Sequence, residues 1–160
     1  MGIISAIQDF FDEDGKNFRK GDAFEACTEK FFPSTHYDCV ERTHDSKTNR
    51  TRFVESSLKP DFKFRDKKTG KCFYVESKYR SGLTDSKILW SNPKQLLRYQ
   101  DYNKECPVFI LIGFMGKPTD PDEVFLIPLS KAKYIGLFPG SIKDFLVELE
   151  LITTRELWNR

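Results

Sequence analysis

Two acidic residues and a lysine lie where β-strands are expected. Asp61 follows a proline at the entrance of segment 59–65, and Glu76 and Lys78 lie two residues apart in segment 71–80. Side chains of a strand alternate between its two faces, so Glu76 and Lys78 should share one face. Charged side chains are rarely buried without a partner or a metal ion. The sequence therefore predicts that these three residues meet at one site.

These residue types suit a divalent cation and reactions at a phosphate group. Two carboxylates held close together repel each other, which raises one pKa unless a cation joins them. Mg²⁺ and Mn²⁺ prefer hard oxygen ligands, which Asp61, Glu76 and the backbone carbonyl of Ser77 could supply. A bound metal lowers the pKa of its water, and Lys78 could activate that water or neutralise developing charge. The alternative is a plain Glu76–Lys78 surface pair on an edge strand.

The pattern of apolar residues predicts the elements that carry this site. Strands are expected at 37–43, 59–65, 71–80, 108–114 and 124–129, with the second and third joined by a hairpin turn at 66–70. Helices are expected at 1–11, at about 17–32, and from Pro93 to a point before Pro107, the last capped by Asn92 or Ser91. Segment 81–91 is expected to be a loop and 116–122 a turn, whereas 142–149 suits either a helix or a strand.

Length and composition favour one folded domain. The 160 residues are 39% apolar and 14% aromatic, which is enough for a sizeable core. We expect a core at about 17–129, an N-terminal helix within 1–14, and a C-terminal extension at 130–160. No apolar run reaches the roughly 20 residues that span a membrane, and the acidic start does not suit a secretory signal. A cytoplasmic location is therefore expected.

The four cysteines form no CxxC pair, so the usual zinc spacings are missing. They are expected to be reduced, partly buried packing residues. The chain has only two histidines. This number disfavours a metal site built from histidines and a Ser-His-Asp triad.

Positive charge flanks the predicted site although the net charge is only +2. Segment 42–71 holds ten basic and four acidic residues, and segment 78–104 holds six and two. Segment 120–160 is slightly acidic, with five and seven. This distribution suits a polyanion such as nucleic acid, and equally a solvated basic face.

Asp61 after Pro60, followed beyond a hairpin by Glu76-Ser77-Lys78, resembles the motif of the PD-(D/E)xK nuclease superfamily. Gly21 to Glu25 resembles the first-helix glutamate segment of many members. Gln95 to Tyr99 resembles the QxxxY element of RecB-like members, and these two residues share one helix face at i and i+4. The resemblance covers about residues 21–129.

The resemblance implies an α/β restriction-endonuclease-like core, a mixed central β-sheet flanked by helices in the order αβββαβ. This order matches the one predicted from the pattern. The resemblance further implies hydrolysis of phosphodiester bonds with Mg²⁺, for which Mn²⁺ can substitute. Nucleic acid is the expected partner, with DNA favoured over RNA, and no membrane. The implied site comprises the catalytic and metal-binding residues Asp61, Glu76, Lys78, Ser77, Glu25 and Gln95, with Tyr99, Arg80 and Arg98 near the substrate.

Each of the lesser residues also has a plain structural explanation. Glu25 could be an exposed helix residue, and Gln95 and Tyr99 could be helix-surface and core residues. Arg80 and Arg98 could simply be solvated. Residues of the polar loop, His44, Arg50 and Arg52, could touch nucleic acid. Trp90 and Tyr102 could stack on bases, but we expect them in the core.

Two other functions stay open. The chain could be a nucleic-acid-binding or assembly module that keeps the fold without cleavage, or a different hydrolase or structural protein that carries the motif by chance. Fold alone does not decide among them. Selectivity would have to come from loops 44–58 and 81–92, from a dimer partner, or from other proteins.

Overall fold

The computed structural model describes residues 20–43, 58–148 and 151–160. The first helix, α1, covers 20–31 of the described residues. The other elements in chain order are β1 (Tyr37–Arg42), β2 (Phe62–Asp66), β3 (Cys72–Arg80), β4 (Ile88–Leu89), α2 (Pro93–Glu105), β5 (Val108–Lys117), β6 (Asp120–Pro128), β7 (Gly136–Leu137), a 3₁₀ helix (Pro139–Phe145) and α3 (Thr154–Trp158).

Five of the described strands form one mixed sheet in the order β1-β2-β3-β5-β6. Neighbouring strands run antiparallel except for β3 and β5, which are parallel and joined through α2. The expected αβββαβ order and the mixed sheet with flanking helices are therefore confirmed. The strand β3 lies in the middle of the sheet, and apolar clusters cover its side chains on both faces.

Each face of the sheet packs a separate apolar cluster. On one face Phe73 and Val75 join Phe24 of α1 and Leu157 of α3. On the other face the cluster includes Tyr74 of β3, Tyr99 of α2, Trp90, and Ile142 of the 3₁₀ helix. The strand β5 reads as a continuous apolar run because seven of its residues, 108–114, are buried. The sheet thus lies between two apolar layers that are rich in aromatic residues.

Local signals fix the turn of the hairpin and the start of α2. Asn92 caps α2 by accepting from the Gln95 backbone N–H at 2.9 Å, with Pro93 in the first turn as predicted. At the hairpin, the Gly70 N–H donates to the Asp66 carbonyl at 2.8 Å, and Gly70 has φ +72°. That left-handed conformation costs glycine little, so the turn closes where the sequence predicts it.

Two expected segments differ from the structure, and for a third the sequence leaves the structure open. Segment 81–91 contains β4, which pairs with β7 in a separate two-stranded sheet. The turn expected at 116–122 is limited to 118–119, because β5 and β6 continue to Lys117 and from Asp120. Pro121 is tolerated there because β6 lies at the end of the sheet order and needs no further donor. Segment 142–149, left open between helix and strand, contains the end of a 3₁₀ helix and then a bridge from Leu146 to Phe125.

The helix expected within 1–14 and the loop residues His44, Arg50 and Arg52 lie outside the described residues. All four cysteines are free thiols; Cys27, Cys72 and Cys106 are partly buried as expected, whereas Cys39 is exposed. Among the described helices, none has the length and apolar character needed to cross a membrane.

Candidate active site

The site lies where β2 and β3 separate. The last paired residues at this end of the hairpin are Phe62 and Val75, and Asp61 comes immediately before β2. The Asp61 Oδ2 atom accepts from the Ser77 backbone N–H at 2.8 Å, and the Asp61 N–H donates to Glu76 Oε2 at 3.2 Å. These two bonds replace the next rung of the ladder. Backbone N–H groups at the fork, the point where the two strands separate, therefore hold the carboxylates of Asp61 and Glu76 close together.

Glu76 and Lys78 share the face of β3 that points toward α2, as strand alternation predicts. Their side chains form an ion pair with 2.7 Å between Lys78 Nζ and Glu76 Oε1. Only 5% of the Glu76 side chain and 17% of the Lys78 side chain are exposed. Since β3 is a central strand, the alternative of a surface pair on an edge strand is wrong. A buried ion pair is costly to desolvate, so its presence on a core strand needs a reason other than stability.

A third carboxylate reaches the site from α1. The pKa of Asp61 is raised well above its ordinary value by burial first, then by the negative charges of Glu76 and Glu25. The Ser77 N–H and the Lys78 ammonium act in the opposite direction. Glu25 is half-buried on the helix that covers the other face of the sheet. The charges of Glu76, Glu25 and Lys78 thus all act on Asp61, with two negative charges against one positive charge.

The donor set fits a hard divalent cation in its chemistry. Asp61 and Glu76 offer carboxylate oxygens whose mutual repulsion a cation would relieve. Within residues 20–43, 58–148 and 151–160, no three His, Cys, Asp or Glu side chains stand ready in a metal-binding arrangement. The carboxylates are instead bonded to the Ser77 N–H, the Asp61 N–H and Lys78.

Tyr99 supports Glu76 from α2. Its side chain is 1% exposed. Burial, followed by the charge of Glu76 and a hydrogen bond with that carboxylate, raises the Tyr99 pKa far above its ordinary value. The phenol therefore stays protonated and can donate to Glu76. Behind it, the Trp90 ring stacks on the Tyr99 ring with 6.5 Å between centroids, so both are core residues at the floor of the site.

Gln95 and Arg98 lie on α2 beside Tyr99. The Gln95 side chain is half-buried and pairs with the Ser91 hydroxyl at 2.9 Å. The positive charge of Arg98 opposes the rise in the Tyr99 pKa that burial and Glu76 cause, which places the guanidinium near the phenol. The Arg98 Nε is buried and has no hydrogen-bond partner. The predicted roles of both residues toward substrate stay predictions.

Arg80, at the end of β3, is occupied by the backbone. Its guanidinium donates to the carbonyls of Leu89, Tyr79 and Trp90. Burial lowers its pKa. These bonds tie β4 to β3, so the structure gives Arg80 a positioning task, and its predicted contact with substrate stays a prediction.

Two residues that position the site were missed in the sequence. Thr28 is fully buried, and its hydroxyl lies 2.6 Å from the Ser77 hydroxyl, which joins α1 to β3. Gly113 on β5 lets α1 approach, because a Cβ atom there would lie 2.6 Å from the Phe24 ring. The helical spacing of Phe24 and Thr28 was a usable signal, whereas nothing local marks Gly113 as a contact point.

Comparison with known proteins adds a likeness in fold. No protein-family model matches the sequence, and no curated protein sequence matches it. The 1.6 Å structure of Hjc, a Holliday junction resolvase from the archaeal hyperthermophile Archaeoglobus fulgidus, superposes with a TM-score of 0.50 at 13% identity. The match covers 79% of this chain and 93% of the resolvase chain. The chain therefore has the restriction-endonuclease-like fold that it shares with this resolvase.

Proposed function

We propose that this protein is a metal-dependent nuclease that hydrolyses phosphodiester bonds of nucleic acid, with DNA as the preferred substrate. One observation carries the proposal: Asp61, Glu76 and Lys78 converge at the fork between β2 and β3, where Glu76 is almost completely buried. Buried, mutually repelling carboxylates beside a lysine are typical of functional sites, because such a cluster costs stability.

The proposed roles follow from the positions of the side chains. Asp61 and Glu76 would hold Mg²⁺ or Mn²⁺, with the Ser77 carbonyl and Glu25 completing the oxygen environment. When bound, the metal supplies an acidified water and stabilises negative charge on a phosphate oxygen. Lys78 Nζ, released from Glu76, would then hold the attacking water or the developing charge.

Residues of α2 and the last residue of β3 would assist. Tyr99 would keep the Glu76 carboxylate oriented through its hydroxyl. Gln95, half-buried one turn before Tyr99 on the same helix, would position water or phosphate. Arg98, with its unsatisfied Nε, and Arg80 are the proposed phosphate contacts on this side.

A second function has a specific observation in its favour. The Glu76 carboxylate is already paired with the Lys78 ammonium and with the Asp61 N–H. Both of its oxygens therefore have partners within the protein. A protein that keeps the fold as a nucleic-acid-binding or assembly module would bind nucleic acid without cutting it. The two functions differ in whether a divalent cation enters the site.

The test is a cleavage panel with plasmid, linear duplex, single-stranded DNA, RNA and a four-way DNA junction. The junction is included because the similar solved structure is described as a Holliday junction resolvase. Each substrate is incubated with Mg²⁺, with Mn²⁺ and with chelator. We expect metal-dependent cutting of a DNA substrate that Lys78→Ala abolishes while calorimetry still detects metal binding.

Lys63→Ala is the matched control. It removes a similar ion pair on the neighbouring strand, between Lys63 Nζ and Glu105 Oε1 at 2.6 Å. We expect this variant to keep its activity. Full turnover by Lys78→Ala would refute the role of Lys78. Binding of DNA without cleavage under every metal condition would favour the binding module.

A further inference from the structure

A two-stranded ribbon lies outside the main sheet and has two different faces. Ile88 of β4 pairs with Leu137 of β7, and both side chains are buried. Leu89 pairs with Gly136, one residue along. Because side chains alternate along each strand, Lys87, Leu89, Gly136 and Phe138 belong to the outer face. The ribbon therefore covers the core with one face and presents the other to solvent.

Large aromatic and apolar side chains are exposed on this outer face and at Tyr134, in the bend two residues before β7. Tyr134 is 73% exposed, Phe138 is 53% exposed and Leu89 is 38% exposed. The Lys87 ammonium lies 5.0 Å from the centre of the Phe138 ring. Gly136 adds no side chain between them, and the Lys87 stem lies 3.1 Å from the position a Cβ would take there. We call Tyr134, Gly136, Phe138, Lys87 and Leu89 the aromatic platform.

Exposed lysines lie close to the platform in sequence. Segment 129–143 contains Lys131, Lys133 and Lys143 and no acidic residue. The nearest acidic residues in sequence are Asp85, in the turn before β4, and Asp144, at the end of the 3₁₀ helix. Exposed rings flanked by lysines can stack on bases while the lysines attract phosphates. A symmetric contact between two copies would instead bring these lysines against each other.

We propose that the aromatic platform binds unpaired bases of a nucleic-acid strand. Stacking needs the face of a base to be accessible, which a continuous duplex does not offer. The substrate class is therefore a nucleic acid with single-stranded character, such as a frayed, branched or single strand.

The platform is joined to the candidate active site by direct contacts. The Trp90 N–H donates to the Ile135 carbonyl at 2.9 Å, and its indole N–H donates to the Tyr134 carbonyl at 2.7 Å. The Trp90 ring stacks on Tyr99, which supports Glu76. On the other side, Arg80 binds the Leu89 and Trp90 carbonyls two residues beyond Lys78. The ribbon is thus fixed relative to the catalytic strand.

The idea that the platform binds the same strand that the active site cuts rests on the proposed nuclease function. Binding itself does not, so it is measured without catalysis. The probe is a fluorescein-labelled dT15 strand, compared with a labelled duplex of equal length, in chelator and in the Lys78→Ala background. We expect Tyr134→Ala and Phe138→Ala each to weaken dT15 binding about tenfold and duplex binding by less than twofold. Val40→Ala, at an exposed apolar residue of β1, is the control and should change neither.

Salt dependence separates stacking from charge. Each of Lys131→Ala and Lys133→Ala should reduce the slope of log affinity against log salt concentration, whereas Tyr134→Ala should leave that slope unchanged. Photocrosslinking with 5-iodo-deoxyuridine in the strand should label Tyr134 or Phe138.

Two results would overturn the inference. One is unchanged dT15 affinity in the Tyr134→Ala Phe138→Ala double variant while its melting temperature matches that of the native chain. The other is a double variant that binds dT15 as tightly as the native chain does but differs from it in oligomeric state, as measured by light scattering. That result would make the platform an interface between copies. Failure of the nuclease proposal is seen separately, as an absence of metal-dependent cleavage, and leaves the binding measurement intact.

Discussion

Asp66 is a buried carboxylate at the end of β2, and replacing it with asparagine should destabilise the fold. Its Oδ1 atom accepts from the Lys68 N–H at 3.0 Å and the Thr154 hydroxyl at 3.1 Å. Its Oδ2 atom accepts from the Thr69 hydroxyl at 2.7 Å and the Trp158 indole N–H at 2.9 Å. Four donors thus converge on one fully buried side chain that links the hairpin turn to α3.

The cost of Asp66→Asn follows from this geometry. An asparagine has one acceptor oxygen, and its amide group must replace either Oδ1 or Oδ2. In the first case the amide faces the Lys68 N–H, and in the second it faces the Trp158 N–H. Neither donor can turn away, so one of them stays buried and unpaired, which lowers the free energy of unfolding by about 1–3 kcal/mol. The remaining hydrogen bonds also lose the contribution of the carboxylate's charge. We expect the variant to lose about 3 kcal/mol at pH 7, which is roughly 6–12 °C in melting temperature.

The pH dependence has a definite sign. Although burial opposes ionisation, the hydrogen bonds from Thr69, Trp158, Lys68 and Thr154 lower the Asp66 pKa below its ordinary value. The folded chain therefore binds this proton more weakly than the unfolded chain. The stabilisation is present above the unfolded pKa of about 3.9 and is lost as the pH falls through the folded pKa. The gap between native and variant melting temperatures should therefore narrow below about pH 4.

Asp61→Asn is the matched comparison, because it makes the same change at the other end of the same hairpin strand. The Asp61 pKa is raised by burial, Glu76 and Glu25, so its ionised form costs stability once the pH rises through the folded pKa. The new amide oxygen can still accept from the Ser77 N–H. In chelator at pH 7 we expect an unchanged or higher melting temperature, and calorimetry should show lost Mg²⁺ affinity.

Thermal unfolding followed by circular dichroism from pH 3 to pH 8 measures both variants. A melting temperature of Asp66→Asn within about 2 °C of the native chain at pH 7 would contradict the expected loss of a buried hydrogen bond. Destabilisation of Asp61→Asn as large as that of Asp66→Asn would contradict the assigned difference between the two carboxylates.

Two further predictions concern the supports of the site. Gly113→Ala should push the Phe24 ring, one residue from Glu25, and cost about 1–3 kcal/mol or about 2–12 °C in melting temperature. Gly82→Ala, where a Cβ atom would meet nothing within 4 Å, is its control, and equal melting temperatures for the two would contradict the prediction. Tyr99→Phe removes the hydroxyl beside Glu76 and should slow metal-dependent cleavage about tenfold with a nearly native melting temperature. Native cleavage rates in that variant would remove Tyr99 from the site.

Local patterns in the sequence were enough for the elements and for one face of the site. Strand alternation is a property of the backbone, so Glu76 and Lys78 had to share a face. The proline after Asn92 and the glycine at position 70 set a helix start and a turn for similarly local reasons. The loop and turn segments were less well predicted, since short pairings such as β4 with β7 join residues almost fifty positions apart.

Tertiary structure decided what those residues experience. The sequence marked Asp61 as a candidate site residue and Asp66 only as part of the hairpin turn, and nothing local indicated that Asp66 would be buried against α3. In the folded chain the pKa of Asp61 is raised by burial and by the charges of Glu76 and Glu25, whereas that of Asp66 is lowered by donors that include Thr154 and Trp158. Alternation along a strand depends only on neighbouring residues. The electrostatic environment of a carboxylate depends instead on groups from distant positions in the sequence, which folding brings close to it.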